Sequence, residues 1–280
     1  MQSLSLIGLA WWGICGLCIG SFVHVVATRL PLRLLDDAAF NNPRSECAHC
    51  KRNLPWWALV PVLSWLALKG RSACCQQPIA LSYPLVELLT AAWFVWCGYA
   101  YAHTSQAQAA AVLWSVWGAA LLCCLLIDYK YFLLPNVLTY SLLALGLAAS
   151  AAPIIGLRLI DTSLMQSVTG AAGAWLSLSL VAWVYKGVTG RDGMGQGDIK
   201  LFAALGAWLG LAALPWVLLG ASLAGSVVGL VQRQQRTQDA QEAQATAVDL
   251  GLDPAAIAFG PYLVLSAVAY QVWQATRTLV

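Results

Sequence analysis

Long apolar blocks alternate with short polar segments along almost the whole chain. A helix needs about 20 apolar residues to cross the hydrocarbon core of a bilayer, and most of the blocks have roughly this length. The pattern therefore predicts an all-α, polytopic membrane helical bundle with about eight transmembrane helices. The predicted spans are residues 4–28, 83–102, 107–127, 135–155, 167–186, 199–213, 215–232 and 256–275.

The polar segments divide the chain into three predicted parts. Residues 1–28 form the first transmembrane helix, and residues 29–82 form a loop module that carries four cysteines. Residues 83–280 form a helical membrane domain, which is interrupted by a polar linker at 233–255. The first apolar block is too long for a signal peptide, and its basic residues follow the block, so we expect it to be retained.

Composition and charge agree with a membrane protein and orient it. The chain is 60% hydrophobic and 10% charged, whereas soluble domains carry about 25% charged residues. Thirteen of the fifteen Lys and Arg residues lie in or beside the loops 29–82, 128–134, 187–198 and 233–255. Because basic residues favour the cytoplasmic side, these loops are predicted to be cytoplasmic and both termini to be outside. The partner predicted by this composition is the lipid bilayer, not a nucleic acid.

Two carboxylates are the principal candidates for chemistry. Asp198 follows a glycine-rich stretch at the predicted start of the sixth span, and Asp128 lies at the predicted end of the third. Ionisable groups at such positions are expensive to desolvate and are therefore functional candidates. Two carboxylates that share a site retain one proton between them and can activate water without a covalent intermediate. The alternative is that each is an ordinary helix-end residue, with Asp198 as an N-cap.

Together the two stretches resemble the prepilin peptidases, also called type IV leader peptidases. The family pattern is an aspartate followed after six residues by Pro-Asn or Pro-Asp, and later by Gly-x-Gly-Asp-x-Lys. The matching positions are Asp128, Pro135 and Asn136, then Gly195, Gly197, Asp198 and Lys200. Further likeness covers most of the chain, including Gly20-Ser21-Phe22, Tyr83-Pro84-Leu85-Val86-Glu87 and Phe259-Gly260-Pro261-Tyr262.

The resemblance implies an enzyme of the bacterial inner membrane with its active site at the cytoplasmic face. Family members remove the basic leader of type IV prepilins or type II secretion pseudopilins with two aspartates and no metal. Many then methylate the new N-terminal amine with S-adenosylmethionine, for which this chain shows no glycine-rich signature. The resemblance makes Asp128 and Asp198 the catalytic pair.

Four further residues are expected to support this site: Gly195, Gly197, Lys200 and Glu87. The glycines would permit close approach of the backbone, and Lys200 would either tune the aspartates or extend to the membrane interface. Glu87 lies well inside an apolar segment, where a carboxylate needs a partner. A role in the site and a structural pairing are both open for Glu87.

The cysteines of the loop module form a candidate zinc site. Cys47-Ala-His-Cys50 is half of a zinc-knuckle pattern, and zinc prefers four tetrahedral ligands. Family members often have a second Cys-x-x-Cys, but here its first position is Ser72 and only Cys75 matches. The adjacent Cys74 is the candidate replacement. The alternative is a set of reduced cytosolic thiols without metal.

Two rival functions follow from the same residues. The first rival is a family member that cleaves but has lost methylation, because the resemblance links methylation to the cysteine-bearing region and one cysteine position there is missing. A proton-coupled membrane transporter would also use membrane-edge aspartates, but it should show internal repeats and interrupted helices at matching positions. The chain shows neither feature.

Overall fold

The computed structural model describes residues 5–35, 45–47, 49–101, 105–155, 159–190, 193–236 and 258–279. Within these residues the regular structure is helical, apart from two isolated β-bridges, so the predicted fold class is confirmed. Most of the predicted linker 233–255 lies outside the described residues. The α-helices are α1 (Leu6–Leu35), α2 (Leu63–Ala67), α3 (Ser82–Tyr101), α4 (Ser105–Tyr131), α5 (Asn136–Ala151), α6 (Leu164–Thr189), α7 (Gln196–Leu209), α8 (Leu214–Arg236) and α9 (Gly260–Leu279).

Each of the eight predicted spans coincides with a helix. Four helical segments are long and apolar enough to cross a membrane: Leu6–Leu34, Gln108–Tyr131, Leu164–Thr189 and Leu211–Val231. The protein is therefore a multi-pass membrane protein, and the number of eight crossings stays a prediction. The first helix differs most from its predicted end, because α1 continues through Pro31 to Leu35. The predicted end follows the apolar run, which stops before Arg29, whereas the helix itself continues beyond that run.

The described chain divides into two compact units. The first contains the residues up to Ile127 together with Ala148–Asp161, and the second contains Asp128–Leu147 and Thr162–Thr278. In the first unit α1 packs closely on α3. A Cβ on Gly20 would lie 2.7 Å from the Cα of Glu87, so this contact between helices requires a glycine.

The second unit is built around α7, whose residues are buried from Asp198 to Leu209 except Lys200. Helix α6 packs along α7, and the backbones of Gly170 and Gly206 touch where the two helices meet. The C-terminal carbonyls of α7 also have partners from the start of α6. The Ser167 hydroxyl donates to the carbonyl of Ala207 at 2.6 Å. A buried helix end requires such partners.

Helix α7 is shorter than the predicted sixth span. Its 14 residues extend about 21 Å, which is less than the roughly 30 Å hydrocarbon core of a bilayer. The helix ends at Gly210, whose φ of 76° is readily available only to glycine. The predicted end at residue 213 is therefore wrong, and Pro215 lies in the first turn of α8, where proline is tolerated.

Candidate functional site

Asp128 lies in the last turn of α4. The helix ends because Phe132 takes a left-handed φ of 51°, and its amide donates to the carbonyl of Asp128 at 2.9 Å. The Asp128 side chain is only 5% exposed, although it carries a carboxyl group. A helix C-terminus is an unfavourable place for a negative charge. This position therefore disfavours ionisation of Asp128.

Asp198 lies in the first turn of α7, two residues after the start of the helix. Gly195 is the N-cap residue, and its carbonyl accepts a hydrogen bond from the Asp198 amide at 3.1 Å. The Asp198 side chain is 8% exposed. The two candidate carboxylates are thus held by opposite helix ends within the second unit.

The two carboxylates converge on Gly260, the first residue of α9. A Cβ on Gly260 would lie 2.5 Å from Asp128 Oδ2 and 3.4 Å from Asp198 Oδ1. These same two oxygens are buried and accept no hydrogen bond from the described residues. The arrangement fits a pair that keeps one proton.

The two motif glycines have different surroundings. A Cβ on Gly197 would lie 2.8 Å from the Cβ of Leu134, so this position requires glycine for space. A Cβ on Gly195 would lie 3.5 Å from Asp198 Oδ2, which is an ordinary contact. The backbone of Gly195 has a φ of −68° and is open to any residue. Gly197 is therefore needed for close packing, and Gly195 is not needed for an unusual backbone conformation.

Lys200 connects the two motifs without touching the aspartates in the described part of the chain. Its ammonium group donates to Asn136 Oδ1 at 2.9 Å and lies 5.5 Å from the centre of the Tyr140 ring. Asn136 is the first residue of α5 and belongs to the Pro-Asn pair that follows Asp128. Lys200 thus ties the start of α7 to the start of α5.

Glu87 is buried within the first unit, in α3. Its Oε2 atom accepts a hydrogen bond of 2.7 Å from the backbone amide of Val62. Val62 immediately precedes α2 and has a φ of 58°, which is unusual for a β-branched residue. One partner of this carboxylate is therefore the strained backbone of the cysteine-bearing module, and the Ser21 side chain is another.

The cysteine-bearing module contains two turns of the same construction. Each turn starts with an amide that donates to a carbonyl five residues later, and each has a left-handed residue at its fifth position. An isolated β-bridge closes each turn, Glu46 with Asn53 and Arg71 with Pro78. The equivalent residues are Cys47 and Ser72, His49 and Cys74, Cys50 and Cys75, Lys51 and Gln76, and Arg52 and Gln77.

The two turns bring four sulfur atoms together. The Sγ atoms of Cys47, Cys50, Cys74 and Cys75 all lie within 4.8 Å of one another. The Ser72 hydroxyl occupies the place of the missing cysteine, 3.2 Å from the sulfur of Cys47 and 3.2 Å from that of Cys74. Hydrogen bonds from the Cys50 amide and the Ser72 hydroxyl lower the pKa of the Cys47 thiol to about 5. A thiolate among three further sulfurs is the donor set that zinc binds.

Comparison with known protein families gives two matches. Residues 14–101 match the bacterial peptidase A24 N-terminal domain, and residues 115–230 match the type IV leader peptidase family. A protein named prepilin leader peptidase/N-methyltransferase from Pectobacterium carotovorum is 37% identical over 92% of this chain and 92% of its own length.

The chain belongs to the type IV leader peptidase family.

Other members of the family show comparable likeness. A protein of the same name from Pseudomonas aeruginosa is 35% identical over 94% of this chain and 90% of its own length. Another from Klebsiella pneumoniae is 42% identical over 76% of this chain and 92% of its own length. No solved structure matches the chain. The predicted family resemblance is therefore confirmed.

The sequence pattern gives no site role to two residues. Gly260 shows only a likeness to the family, because a glycine between two carboxylates leaves no signal until the chain is folded. Ser72 stands in the pattern only as an absent ligand. The repeated spacing of Cys47-Ala-His-Cys50 and Ser72-Ala-Cys74-Cys75 contains the information that the two turns are equivalent.

Proposed function

We propose that this protein is an aspartic endopeptidase that removes the leader of type IV prepilins or type II secretion pseudopilins. The observation that carries the proposal is the convergence of two buried carboxylates, Asp128 and Asp198, on one point in the second unit. The likeness to prepilin leader peptidases over nearly the full chain supports the choice of substrate.

The carboxylate pair can hydrolyse an amide with one shared proton. The ionised member takes a proton from a water molecule, which attacks the scissile carbonyl carbon. The protonated member hydrogen-bonds the carbonyl oxygen and then gives its proton to the leaving amine as the carbon–nitrogen bond breaks, which leaves a carboxylic acid and a free amine. The two carboxyls have then exchanged their protonation states, and transfer of one proton between them restores the starting pair. Neither step requires a covalent intermediate.

The residues beside the aspartates hold this geometry. Close packing of Gly197 on Leu134 fixes the start of α7, and Asp198 follows in the next position. The hydrogen bond between Lys200 and Asn136 fixes the same helix end relative to α5. Gly195 supplies the N-cap and leaves space in front of the Asp198 carboxylate.

A second activity, N-methylation of the amine exposed by cleavage, follows from the name of the relatives. The methyl donor would be S-adenosylmethionine, which supplies an electrophilic methyl group. Glu87 belongs to the unit that contains the cysteine-bearing module, and its hydrogen bond to Val62 anchors the start of α2. We assign Glu87 to the support of this module instead of to the carboxylate pair.

Zinc is the ion that the sulfur cluster fits. A tetrahedral zinc with zinc–sulfur bonds of about 2.3 Å separates its sulfurs by about 3.8 Å. The separation of 3.6 Å between Cys47 and Cys75 lies close to this value, and that of 3.1 Å between Cys50 and Cys74 is shorter. The four cysteines would hold a structural ion that joins the two turns, and peptide cleavage would not involve it.

The proposed location is the bacterial inner membrane, with the aspartates at the cytoplasmic face. The distribution of basic residues supports this orientation, because the loops beside Asp128 and Asp198 lie on the Lys- and Arg-rich side. A prepilin inserted in the same membrane would present its basic leader at that depth. The leader could then enter the site while its apolar segment remains in the bilayer.

The test of the proposed function is incubation of the detergent-solubilised protein with a prepilin, with and without S-adenosylmethionine. Mass spectrometry separates loss of the leader from addition of a methyl group to the product. We expect leader loss in both reactions and methylation only with the donor. Leader loss alone would indicate a peptidase without methylation, and failure with several prepilins and pseudopilins would contradict the proposal.

A further inference from the structure

The start of α9 closes over both candidate carboxylates. Gly260 is buried, and a Cβ at this position would point at Asp128 Oδ2 and Asp198 Oδ1. These are the two buried oxygens that lack hydrogen-bond partners among the described residues. A side chain of any size would occupy the space of the Asp128 carboxylate. The contact therefore depends on the absence of a Cβ.

The backbone at this helix end directs one free donor toward the carboxylates. The amides of Tyr262 and Leu263 both donate to the carbonyl of Phe259, at 3.1 and 3.3 Å. Pro261 has no amide hydrogen. The Gly260 amide is thus the donor left in the first turn of a 20-residue helix, and a helix N-terminus favours a nearby negative charge.

We propose that Gly260 is a positioning residue of the aspartate pair, which lets the N-terminus of α9 pack directly against both carboxylates. The inference rests on the proposed function, because it assigns Asp128 and Asp198 to one catalytic pair. The glycine supplies the space, and its amide at the helix N-terminus stabilises the single negative charge that the pair carries.

Substitution with alanine tests the space requirement. In Gly260→Ala the new Cβ displaces Asp128, and a misplacement of about 1 Å in a catalytic group costs on the order of 100-fold in rate. We expect kcat for prepilin cleavage to fall about 100-fold or more. KM should change only a few-fold, because Gly260 acts on the position of the carboxylates and not on substrate binding. A variant that cleaves at nearly the wild-type rate would overturn the proposal.

Gly225→Ala is the matched control. Gly225 lies in α8 and faces Tyr262, two residues beyond Gly260, but its Cβ would meet that ring at an ordinary 3.4 Å. We expect this variant to cleave like the wild type. An equal loss of kcat in Gly225→Ala and Gly260→Ala would show that displacement of α9 as a whole causes the loss, and this too would overturn the proposal.

A double-mutant cycle on thermal stability tests the contact independently of activity. We expect Gly260→Ala to lower the Tm of the wild type by several degrees, because its Cβ meets a carboxylate oxygen. In the Asp128→Ala background that oxygen is gone, so the same substitution should lower Tm clearly less. An equal loss of Tm in both backgrounds would overturn the proposal. The cycle remains decisive if the wild type cleaves no prepilin, since that failure concerns the proposed function alone.

Discussion

The ammonium group of Lys200 lies 2.9 Å from Asn136 Oδ1, so the family's two motifs are joined by a direct hydrogen bond. Lys200 follows Asp198 by two residues, and Asn136 follows Asp128 by eight. The bond therefore links the segments that carry the two candidate carboxylates. We infer that the lysine acts through the position of the backbone, whereas the sequence pattern also allows a direct effect on the charges.

The hydrogen bond of Lys200 to Asn136 predicts that Lys200→Ala has only a small effect on the rate of prepilin cleavage. An exposed interaction of this kind contributes about 1 kcal/mol or less, which corresponds to about fivefold in rate. We expect prepilin cleavage to fall by no more than about tenfold, and Asn136→Ala to have a similar effect. The double variant should be no worse than either single one. A loss of several hundredfold in Lys200→Ala alone would instead show direct participation in the chemistry.

Gly197 and Gly195 should respond differently to alanine. The Cβ of Gly197→Ala would meet Leu134 at 2.8 Å and push away the start of α7, so we expect a loss of about 100-fold in cleavage. Gly195→Ala introduces only an ordinary 3.5 Å contact and should retain cleavage within a few-fold. Kinetic assays of both variants, beside their thermal unfolding curves, check this. Equal tolerance at both positions would contradict the packing argument.

The single proton of the carboxylate pair predicts how cleavage depends on pH. Two carboxylates at one site retain a proton between them, and the pair loses this proton as the pH rises. Without that proton no acid remains for the scissile amide. We expect kcat/KM for prepilin cleavage to decrease on the alkaline side, and a rate that still increases up to pH 9 would contradict a shared proton.

The sulfur cluster predicts a rescue by exchange of two residues. We expect about one zinc ion per chain in the wild type, and much weaker binding in Cys74→Ser. Because Ser72 occupies the position equivalent to Cys47, Ser72→Cys combined with Cys74→Ser should restore the binding. Cys18→Ser, in α1, is the control that leaves the cluster intact. Cobalt absorption and metal analysis of the purified proteins report on the ligand set.

Two results would count against this zinc site. Wild-type protein purified with zinc present should retain the ion after gel filtration, and a metal-free product would favour a set of reduced thiols. Full zinc affinity in Cys74→Ser would show that Cys74 is not a ligand. In that case the Ser72 hydroxyl, which lies 3.2 Å from the Cys47 sulfur, would be the better candidate for the fourth position.

The helices were predictable because they depend on local patterns of apolar residues. The carboxylates were also predictable, since Asp128 and Asp198 each stand at the end of an apolar block where a charge is costly. The end of α7 was misplaced, because Gly210 breaks the helix through its φ of 76° while Pro215 looks like the stronger signal. A proline in the first turn of a helix costs little, and position relative to the helix decides its effect.

The missed features depend on contacts between residues that are distant in sequence. Gly260 touches Asp128 from 132 positions away, and nothing in the local pattern marks that glycine as different from the others. The four-sulfur cluster was anticipated, but the role of Ser72 was not, because the equivalence of the two turns is a property of backbone hydrogen bonds. Long-range packing and backbone geometry thus account for what the sequence pattern left open.

The most direct test of the account is prepilin cleavage by the purified protein, with Asp128→Asn and Asp198→Asn assayed beside the wild type. Asparagine keeps the size of each side chain but cannot exchange the proton. We expect leader removal by the wild type and none detectable with either variant, while both insert into membranes like the wild type. Cleavage at nearly the wild-type rate by either variant would remove that aspartate from the pair and contradict the two-carboxylate mechanism.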